Sequence, residues 1–186
     1  MDYFLLEQDL RHPEVTSIAN VPENIDPLEW ILGKKLEAPT QPVRLELARS
    51  GGTYRNAIIS GLVTVFSDSL KKLLTDLGID NIDYFPAELE HPETKVVEGG
   101  YWLVNILGNV ECLDTDRSTV IPRATGGMGR LESFYIDPVA AKGFRLFRLH
   151  ESPRLIIIDG DLKQSIFAAD DVRGCRMRPT SKYDGF

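Results

Sequence analysis

Histidine and cysteine are scarce in this chain, and their scarcity limits the chemistry that it can perform. The 186 residues include three histidines, His12, His91 and His150, and two cysteines, Cys112 and Cys175. No histidine has a second one three or four positions away, as a helical zinc motif requires. Two cysteines 63 positions apart make no structural zinc site. We therefore predict no metal, no cofactor, and two buried, reduced thiols of the kind found in the cytosol.

Long apolar runs and a basic leader are also missing. No run approaches the roughly 20 apolar residues that a membrane helix needs, and residues 1–14 lack the basic start of a secretory signal. Apolar residues make up 42% of the chain and charged residues 26%, as in ordinary globular proteins. We predict a soluble cytoplasmic protein with no membrane partner, in which residues 1–186 form a single domain.

Two glycine-rich stretches lack the context that phosphate binding requires. Residues 50–53 (Ser-Gly-Gly-Thr) lack the lysine of a P-loop, and residues 125–129 (Thr-Gly-Gly-Met-Gly) lead into a strand rather than a helix. Both are typical of hairpin turns. Asp114 and Asp116 form an isolated Asp-x-Asp turn without the remaining oxygen ligands of a calcium loop. We predict no enzyme activity; the alternative is a small enzyme that pairs Cys112 or Cys175 with His150, or that uses the Asp114 turn.

The net charge of −7 is concentrated in one segment. Residues 76–116 hold ten acids against one base, Lys95, which gives a segment charge of −9. Nucleic-acid binding needs the opposite sign, because its affinity comes from neutralised phosphates. The charge therefore argues against nucleic acid as a ligand and favours a basic protein partner. The alternative interpretation is a solvated face that keeps the protein in solution.

One stretch of the chain repeats an earlier one after a shift of 92 residues. Residues 62–86 and 154–179 each begin with an apolar β-branched run, continue through a helix-capping residue, Ser67 or Asp159, and end at a proline. The first helix carries an apolar stripe at helical spacing and Gly78 at its exit. We predict two strand–helix–strand units that arose by duplication. The sequence leaves open whether the two strands of each unit pair directly.

Strand patterns outnumber helix patterns in the rest of the chain. Strands are indicated over residues 3–6, 43–47, 101–107 and 144–149, a hairpin over 118–122 and 131–136, and a polar loop over 88–100. Trp30 and Trp102 stand in apolar runs and are predicted to lie in the core. The short connections predict an α+β fold, with a mixed, mainly antiparallel sheet and a few packed helices.

Five stretches carry a resemblance to a known family. They are residues 101–107 (Tyr-Trp-Leu-Val-Asn-Ile-Leu), 111–114 (Glu-Cys-Leu-Asp) with Ser118 after them, 146–149 (Leu-Phe-Arg-Leu), 156–166 and 174–177. In order and pattern they resemble the bacterial immunity proteins of polymorphic-toxin and type VI secretion systems, specifically immunity family eleven. The resemblance covers most of residues 60–178. Cys175 and Met177 depart from the aromatic-rich final strand that the family leads us to expect.

The resemblance implies a cytoplasmic antidote without an activity of its own. Such a protein binds a cognate toxin, in many cases a nuclease with a basic cleft, and occludes its active site. We expect the toxin-binding surface to include six acids from the charged segment: Glu88, Glu90, Glu93, Glu98, Asp114 and Asp116. These charges would mainly accelerate association. An interface elsewhere, a small enzyme, and a scaffold or assembly module of a secretion system stay open as alternatives.

Overall fold

The computed structural model describes residues 2–49, 56–122 and 129–185. Within these ranges the chain forms two α-helices, α1 (Asp68–Asp76) and α2 (Gly160–Ala168), and thirteen strands, so the predicted α+β class is confirmed. The strands are β1 (Tyr3–Gln8), β2 (Ile18–Asn20), β3 (Val43–Leu47), β4 (Ile58–Ile59), β5 (Val65–Ser67), β6 (Ile82–Glu90), β7 (Val97–Ile106), β8 (Asn109–Val110), β9 (Val120–Ile121), β10 (Arg130–Leu131), β11 (Leu146–Leu149), β12 (Ser152–Asp159) and β13 (Cys175–Pro179).

The chain divides into two compact units. The five-stranded unit comprises Met1–Glu7, Gly108–Ser165 and Arg176–Phe186. The six-stranded unit comprises Gln8–Leu107 and Ile166–Cys175. Each unit is named after its main sheet, and each sheet has its own cluster of buried apolar side chains.

The six-stranded sheet has the order β2-β3-β6-β7-β5-β4. Its pairs are antiparallel except for β3 and β6, which run parallel. Alternate residues of β3 and β6, such as Leu45 and Leu89, point into the core cluster, where Trp30 packs edge-on against Phe85 with ring centroids 5.3 Å apart. Helix α1 lies on the opposite face of this sheet, because its Lys71 contacts the rings of residues that alternate with the core positions.

The five-stranded sheet has the order β13-β1-β12-β11-β8. Strands β1 and β11 both run antiparallel to β12, and β8 runs parallel to β11. Its core includes Leu5, Phe134 and Ile157, with Tyr3 packed edge-on against Phe147 at 6.1 Å between ring centroids. The predicted hairpin is present as the antiparallel ribbon β9–β10.

Both predicted strand–helix–strand segments are present, as β5–α1–β6 and β12–α2–β13. The capping residues act as expected: the Leu70 amide donates to Ser67 Oγ at 3.3 Å, and the Leu162 amide donates to Asp159 Oδ1 at 2.6 Å. Gly78 takes φ +76° after α1. In each segment a third strand lies between the two, β7 in the first and β1 in the second, so they do not pair directly. Duplication as their origin stays a prediction.

The predicted polar loop over residues 88–100 is wrong at both of its ends. Strand β6 continues through Pro86 to Glu90, and β7 begins at Val97. A proline normally ends a ladder because it has no amide hydrogen. The Leu107 amide bonds to Asn81 across the β6–β7 pair, and the Val104 amide bonds away from β6, to Thr64, so by alternation the nitrogen of Pro86 faces away from β7. On that side β3 pairs with β6 only from Ala87 onward, so the missing amide hydrogen interrupts no ladder. Residues 88–90 and 97–100 therefore lie on strands, and only residues 91–96 form the connection between them.

Two predicted turns fall outside the described residues. They are the glycine stretch at residues 50–53 and all but the last residue of the stretch at 125–129.

Candidate partner-binding surface

The six predicted interface acids lie in both units. Glu88 and Glu90 are on β6, Glu93 is in the turn that follows, and Glu98 is on β7, all in the six-stranded unit. The remaining two, Asp114 and Asp116, belong to the five-stranded unit. The structure thus brings four of the predicted residues to one hairpin, β6–β7.

Cations from elsewhere in the sequence balance the acids on β6. The parallel register sets Arg44 of β3 beside Glu88, with Nη2 to Oε2 at 3.2 Å, and Arg44 Nη1 lies 3.9 Å from Glu90 Oε2. Lys95 Nζ reaches Glu90 Oε1 at 3.1 Å and Glu46 Oε1 at 3.8 Å. These side chains form a ladder of ion pairs on the face of the sheet opposite the core. The surface there carries both signs of charge, not acids alone.

The other two acids of this group lie in the turn of the hairpin and at the start of β7. Glu98 Oε1 lies 2.8 Å from Nε2 of the buried His91. Lys95 takes φ +56°, an uncommon conformation for a residue with a side chain, and it sets the turn that brings β7 back alongside β6. Glu93 is exposed and has no ion-pair partner within the described ranges. Its carboxylate is therefore the most accessible of the four.

In the five-stranded unit, Asp114 has a local partner. The Arg117 amide donates to Asp114 Oδ1 at 3.2 Å, and the guanidinium of Arg117 lies 3.8 Å from Oδ2. The same guanidinium stacks on the ring of Tyr135 at 4.2 Å from the centroid. Asp116 is exposed, and the described part of the chain shows no ion pair for it.

An aromatic cluster on the six-stranded unit was missed by the sequence analysis. Trp102, predicted to lie in the core, is half-buried on the face that carries the ion-pair ladder, opposite Pro86. Its Nε1 donates to Asp68 Oδ1 at 2.5 Å, and Lys71 Nζ stands 2.9 Å from the ring centroid. The same ammonium is 5.3 Å from the ring of Tyr84, whose pKa is raised by burial. The apolar run around Trp102 concealed its exposure, because residue 102 alternates with core residues.

The surroundings of both thiols disfavour the reactive thiolate form. Burial raises the pKa of Cys112 to about 12, and Cys112 Sγ donates to the carbonyl oxygen of Val110 at 3.5 Å. Burial, with a smaller contribution from Asp9, also raises the pKa of Cys175 to about 12, although the residue as a whole is partly exposed. A thiolate is the nucleophilic form of cysteine, so neither thiol is prepared for nucleophilic attack at neutral pH. The ring of His150 is engaged with Asn109, with Nδ1 to Oδ1 at 3.2 Å.

The described residues also offer little for metal binding. No group of three or more histidine, cysteine, aspartate or glutamate side chains is placed to hold a metal ion within residues 2–49, 56–122 and 129–185. Over the same ranges, neither α-helix has the length and apolar character needed to cross a membrane. What the described surface presents is carboxylates, ion pairs and an aromatic–cation cluster.

On this α+β protein the described surface sets an aromatic side chain among polar groups, an arrangement that protein interfaces share in having an apolar centre and a polar rim. The family model described as the immunity protein family (Imm11) matches residues 1–182. The chain therefore belongs to this immunity protein family. No curated protein matches it.

Proposed function

We propose that this chain binds a cognate toxin in the cytoplasm and neutralises it by occluding the toxin's active site, without chemistry of its own. The observation that carries the proposal is the family match, which spans residues 1–182 and thus both compact units. On this view residues 1–186 act as one immunity domain. The raised pKa values of both cysteines favour binding over catalysis, because they disfavour a thiolate nucleophile.

The finer proposal is that the toxin is a polymorphic or type VI effector with a basic catalytic cleft, such as a nuclease. The support is the charge of the chain, −7 overall and −9 over residues 76–116. A cleft that binds phosphates is positively charged, so an acidic inhibitor is attracted to the very surface that it must cover.

Affinity capture from a lysate of the source organism tests the central proposal. One stoichiometric partner is expected, with a large N-terminal delivery region and a small C-terminal toxin domain. Expression of that domain alone should arrest growth, and co-expression of this chain should restore it. Degradation of DNA or RNA by the purified domain, stopped by one equivalent of this chain, would identify a nuclease. Growth arrest that persists during co-expression would refute neutralisation.

We further propose that the six predicted acids accelerate toxin association. Glu93 and Asp116 are the sharpest test, since both are exposed and neither is held in an ion pair among the described residues. The double variant Glu93→Lys, Asp116→Lys should slow association about tenfold or more at low salt and reduce its salt dependence. Glu14→Lys, Glu37→Lys is the matched control, because it changes net charge equally at two exposed acids outside the segment. Equal association rates for both double variants would sink this part of the proposal.

The two rival functions predict different results in the same experiments. A scaffold of a secretion system would capture several components in a ladder of assemblies, whereas an antidote forms a one-to-one complex, which light scattering after gel filtration measures. An enzyme that uses a thiol or a metal would lose function after alkylation or chelation. Neutralisation by this chain should survive both treatments.

A further inference from the structure

The outer face of the six-stranded sheet has the anatomy of a docking site. We infer that the basic surface of the cognate toxin docks on this face, with Trp102 as the aromatic anchor and the ladder of Arg44, Glu88 and Glu90 as its polar border. This inference rests on the proposed function and adds to it the location of the contact. Together Trp102, Pro86, Arg44, Glu88 and Glu90 form a surface that we call the Trp102 face.

Strand pairing puts these five side chains on one surface. Pro86 lies directly opposite Trp102 across the β6–β7 pair, and Arg44 lies beside Glu88 across the β3–β6 pair. Since successive side chains alternate between faces, Pro86, Glu88 and Glu90 all point away from the core cluster. Helix α1 lies beside this face, and its Asp68 and Lys71 contact the indole of Trp102, so the face is open at the exposed Pro86 rather than on the side of the helix.

The sheet is open on the side of Trp102 that leads to the hairpin turn. Gly99 and Gly100 precede Trp102 on β7, and both are exposed. A Cβ added at Gly99 would meet nothing within 4 Å, and one at Gly100 would meet only Asp68 Oδ2 at 3.4 Å. The partner can thus approach the exposed Pro86 and the indole without displacing a side chain at positions 99 and 100.

Trp102 is oriented before any partner arrives. Asp68 accepts its indole hydrogen at 2.5 Å, and the Lys71 ammonium stands over its ring at 2.9 Å from the centroid. A side chain that is already fixed loses little conformational entropy on binding, and tryptophan is the residue most enriched among interface residues of high energetic weight. An aromatic centre surrounded by charged groups is the usual arrangement of a specific interface.

The charges favour a basic partner over a second copy of this chain. Carboxylates on and around the face outnumber cations by four (Asp68, Glu46, Glu88, Glu90) to three (Arg44, Lys71, Lys95). Each of these cations is already engaged, by a carboxylate or by an aromatic ring. A second copy would bring another chain of net charge −7 against this one, whereas a basic toxin surface is attracted to it.

Fluorine NMR of the 5-fluorotryptophan protein tests the inference directly. The chain has two tryptophans, and Trp30 is 5% exposed in the core, so the spectrum contains an internal reference. The unlabelled toxin domain captured with the wild-type protein is the probe. Titration should shift or broaden the Trp102 resonance, assigned with Trp102→Phe, and leave that of Trp30 unchanged. A spectrum in which the toxin saturates binding without affecting Trp102 would overturn the inference.

Affinity measurements on matched variants provide the quantitative test. Trp102→Ala should weaken toxin binding by about 30-fold or more, whereas Phe167→Ala, at an aromatic residue 78% exposed on α2, should change it by less than about twofold. The charge swap Arg44→Glu, Glu88→Arg keeps an ion pair between the two strands, so it should preserve the melting temperature while it weakens binding. This second variant decides the matter if Trp102→Ala fails to fold.

The outcomes separate the interface from the function. If the wild-type protein neutralises the toxin, and Trp102→Ala and the charge swap both bind it with wild-type affinity, the proposed interface is overturned but the proposed function is not. A wild-type protein that neutralises no toxin overturns both proposals. The wild-type protein could instead form a dimer that dissociates on dilution while Trp102→Ala is a monomer. This result would assign the face to a second copy of the chain and would also overturn the inference.

Discussion

A methyl group added at Gly174 would destabilise the fold for two separate reasons, backbone conformation and steric contact. Its φ is +75°, a region that favours glycine, and a Cβ built there would lie 2.1 Å from Asn56 Oδ1 and 2.9 Å from Asn56 Cα. Asn56 is 4% exposed and has little freedom to move, because its carbonyl oxygen accepts from the Tyr101 hydroxyl at 3.2 Å. The neighbouring Ala57 amide donates to the Arg173 carbonyl at 2.6 Å and holds the two segments together. We predict that Gly174→Ala is severely destabilising.

The size of the effect follows from its two parts, and each part has its own control. A left-handed conformation costs an alanine about 1–2 kcal/mol, and overpacking in a well-packed region costs about 1–3 kcal/mol, so the loss should be about 2–5 kcal/mol. Gly78→Ala isolates the strain, since Gly78 has φ +76° and its Cβ would meet nothing within 4 Å. Gly61→Ala isolates the close approach, since its Cβ would lie 2.0 Å from the Ile18 carbonyl oxygen without a positive φ.

Urea unfolding followed by the fluorescence of Trp30 measures these losses. All three glycines and Trp30 belong to the six-stranded unit, so one probe reports on the unit that is perturbed. A Trp102→Phe background removes the second tryptophan signal. The expected order of destabilisation has Gly174→Ala at least about 1 kcal/mol beyond Gly78→Ala. Equal unfolding midpoints for these two variants would show that the contact with Asn56 relaxes freely, and the steric reasoning would be refuted.

Four further predictions concern the helix caps, the reactivity and the protonation of the thiols, and a buried cation. Ser67→Ala should lower the free energy of unfolding by about 1 kcal/mol. Asp159→Ala should lower it more, because Asp159 is buried and pairs with an arginine in addition to capping α2. Equal urea midpoints for the two variants would contradict this. The thiols of Cys112 and Cys175 should resist iodoacetamide at pH 8 in the folded protein and react fast in urea; fast native labelling would contradict the raised pKa values. Because their folded-state pKa exceeds the ordinary 9.0, the native state keeps protons that the unfolded state releases, so stability should fall as pH rises from 9.0 toward about 12. Arg148→Met should leave the free energy of unfolding unchanged or raise it. Burial lowers the pKa of Arg148 to about 10, and its Nε has no partner among the described residues, so the buried cation is poorly compensated. A loss of stability above about 2 kcal/mol would refute this.

The local elements of the fold could be predicted from the sequence because their signals are local. The helix α1 was recognisable from Ser67 as its cap, leucines at helical spacing and Gly78 as its exit, and each of these three features is present. The strand over Val43–Leu47 followed from strict alternation of apolar and charged residues. In these stretches the residues that decide the structure lie within a few positions of each other.

The path of β6 and the position of Trp102 depend on partners that the sequence does not reveal. Pro86 indicated a strand end, but its effect depends on which neighbouring strand is present at that position. Trp102 stands in an apolar run, yet its side of the sheet is only partly covered by α1, so it remains partly exposed. Coverage of a sheet face is a property of packing, and no pattern within β7 encodes it.

The candidate surface shows the same limit for charge. Residues 76–116 contain one base, but the fold supplies others from outside the segment: Lys35 Nζ lies 2.6 Å from Asp83, and Arg44 lies 3.2 Å from Glu88. Exposed ion pairs of this kind contribute only about 0–1 kcal/mol each, so a toxin arginine can take over such a carboxylate at little cost. Such an exchange adds little net attraction at long range, whereas an unpaired acid such as Glu93 attracts a cation from the start. The paired acids should therefore accelerate association less than the unpaired acids do, and they are better suited to fixing the orientation of a docked partner.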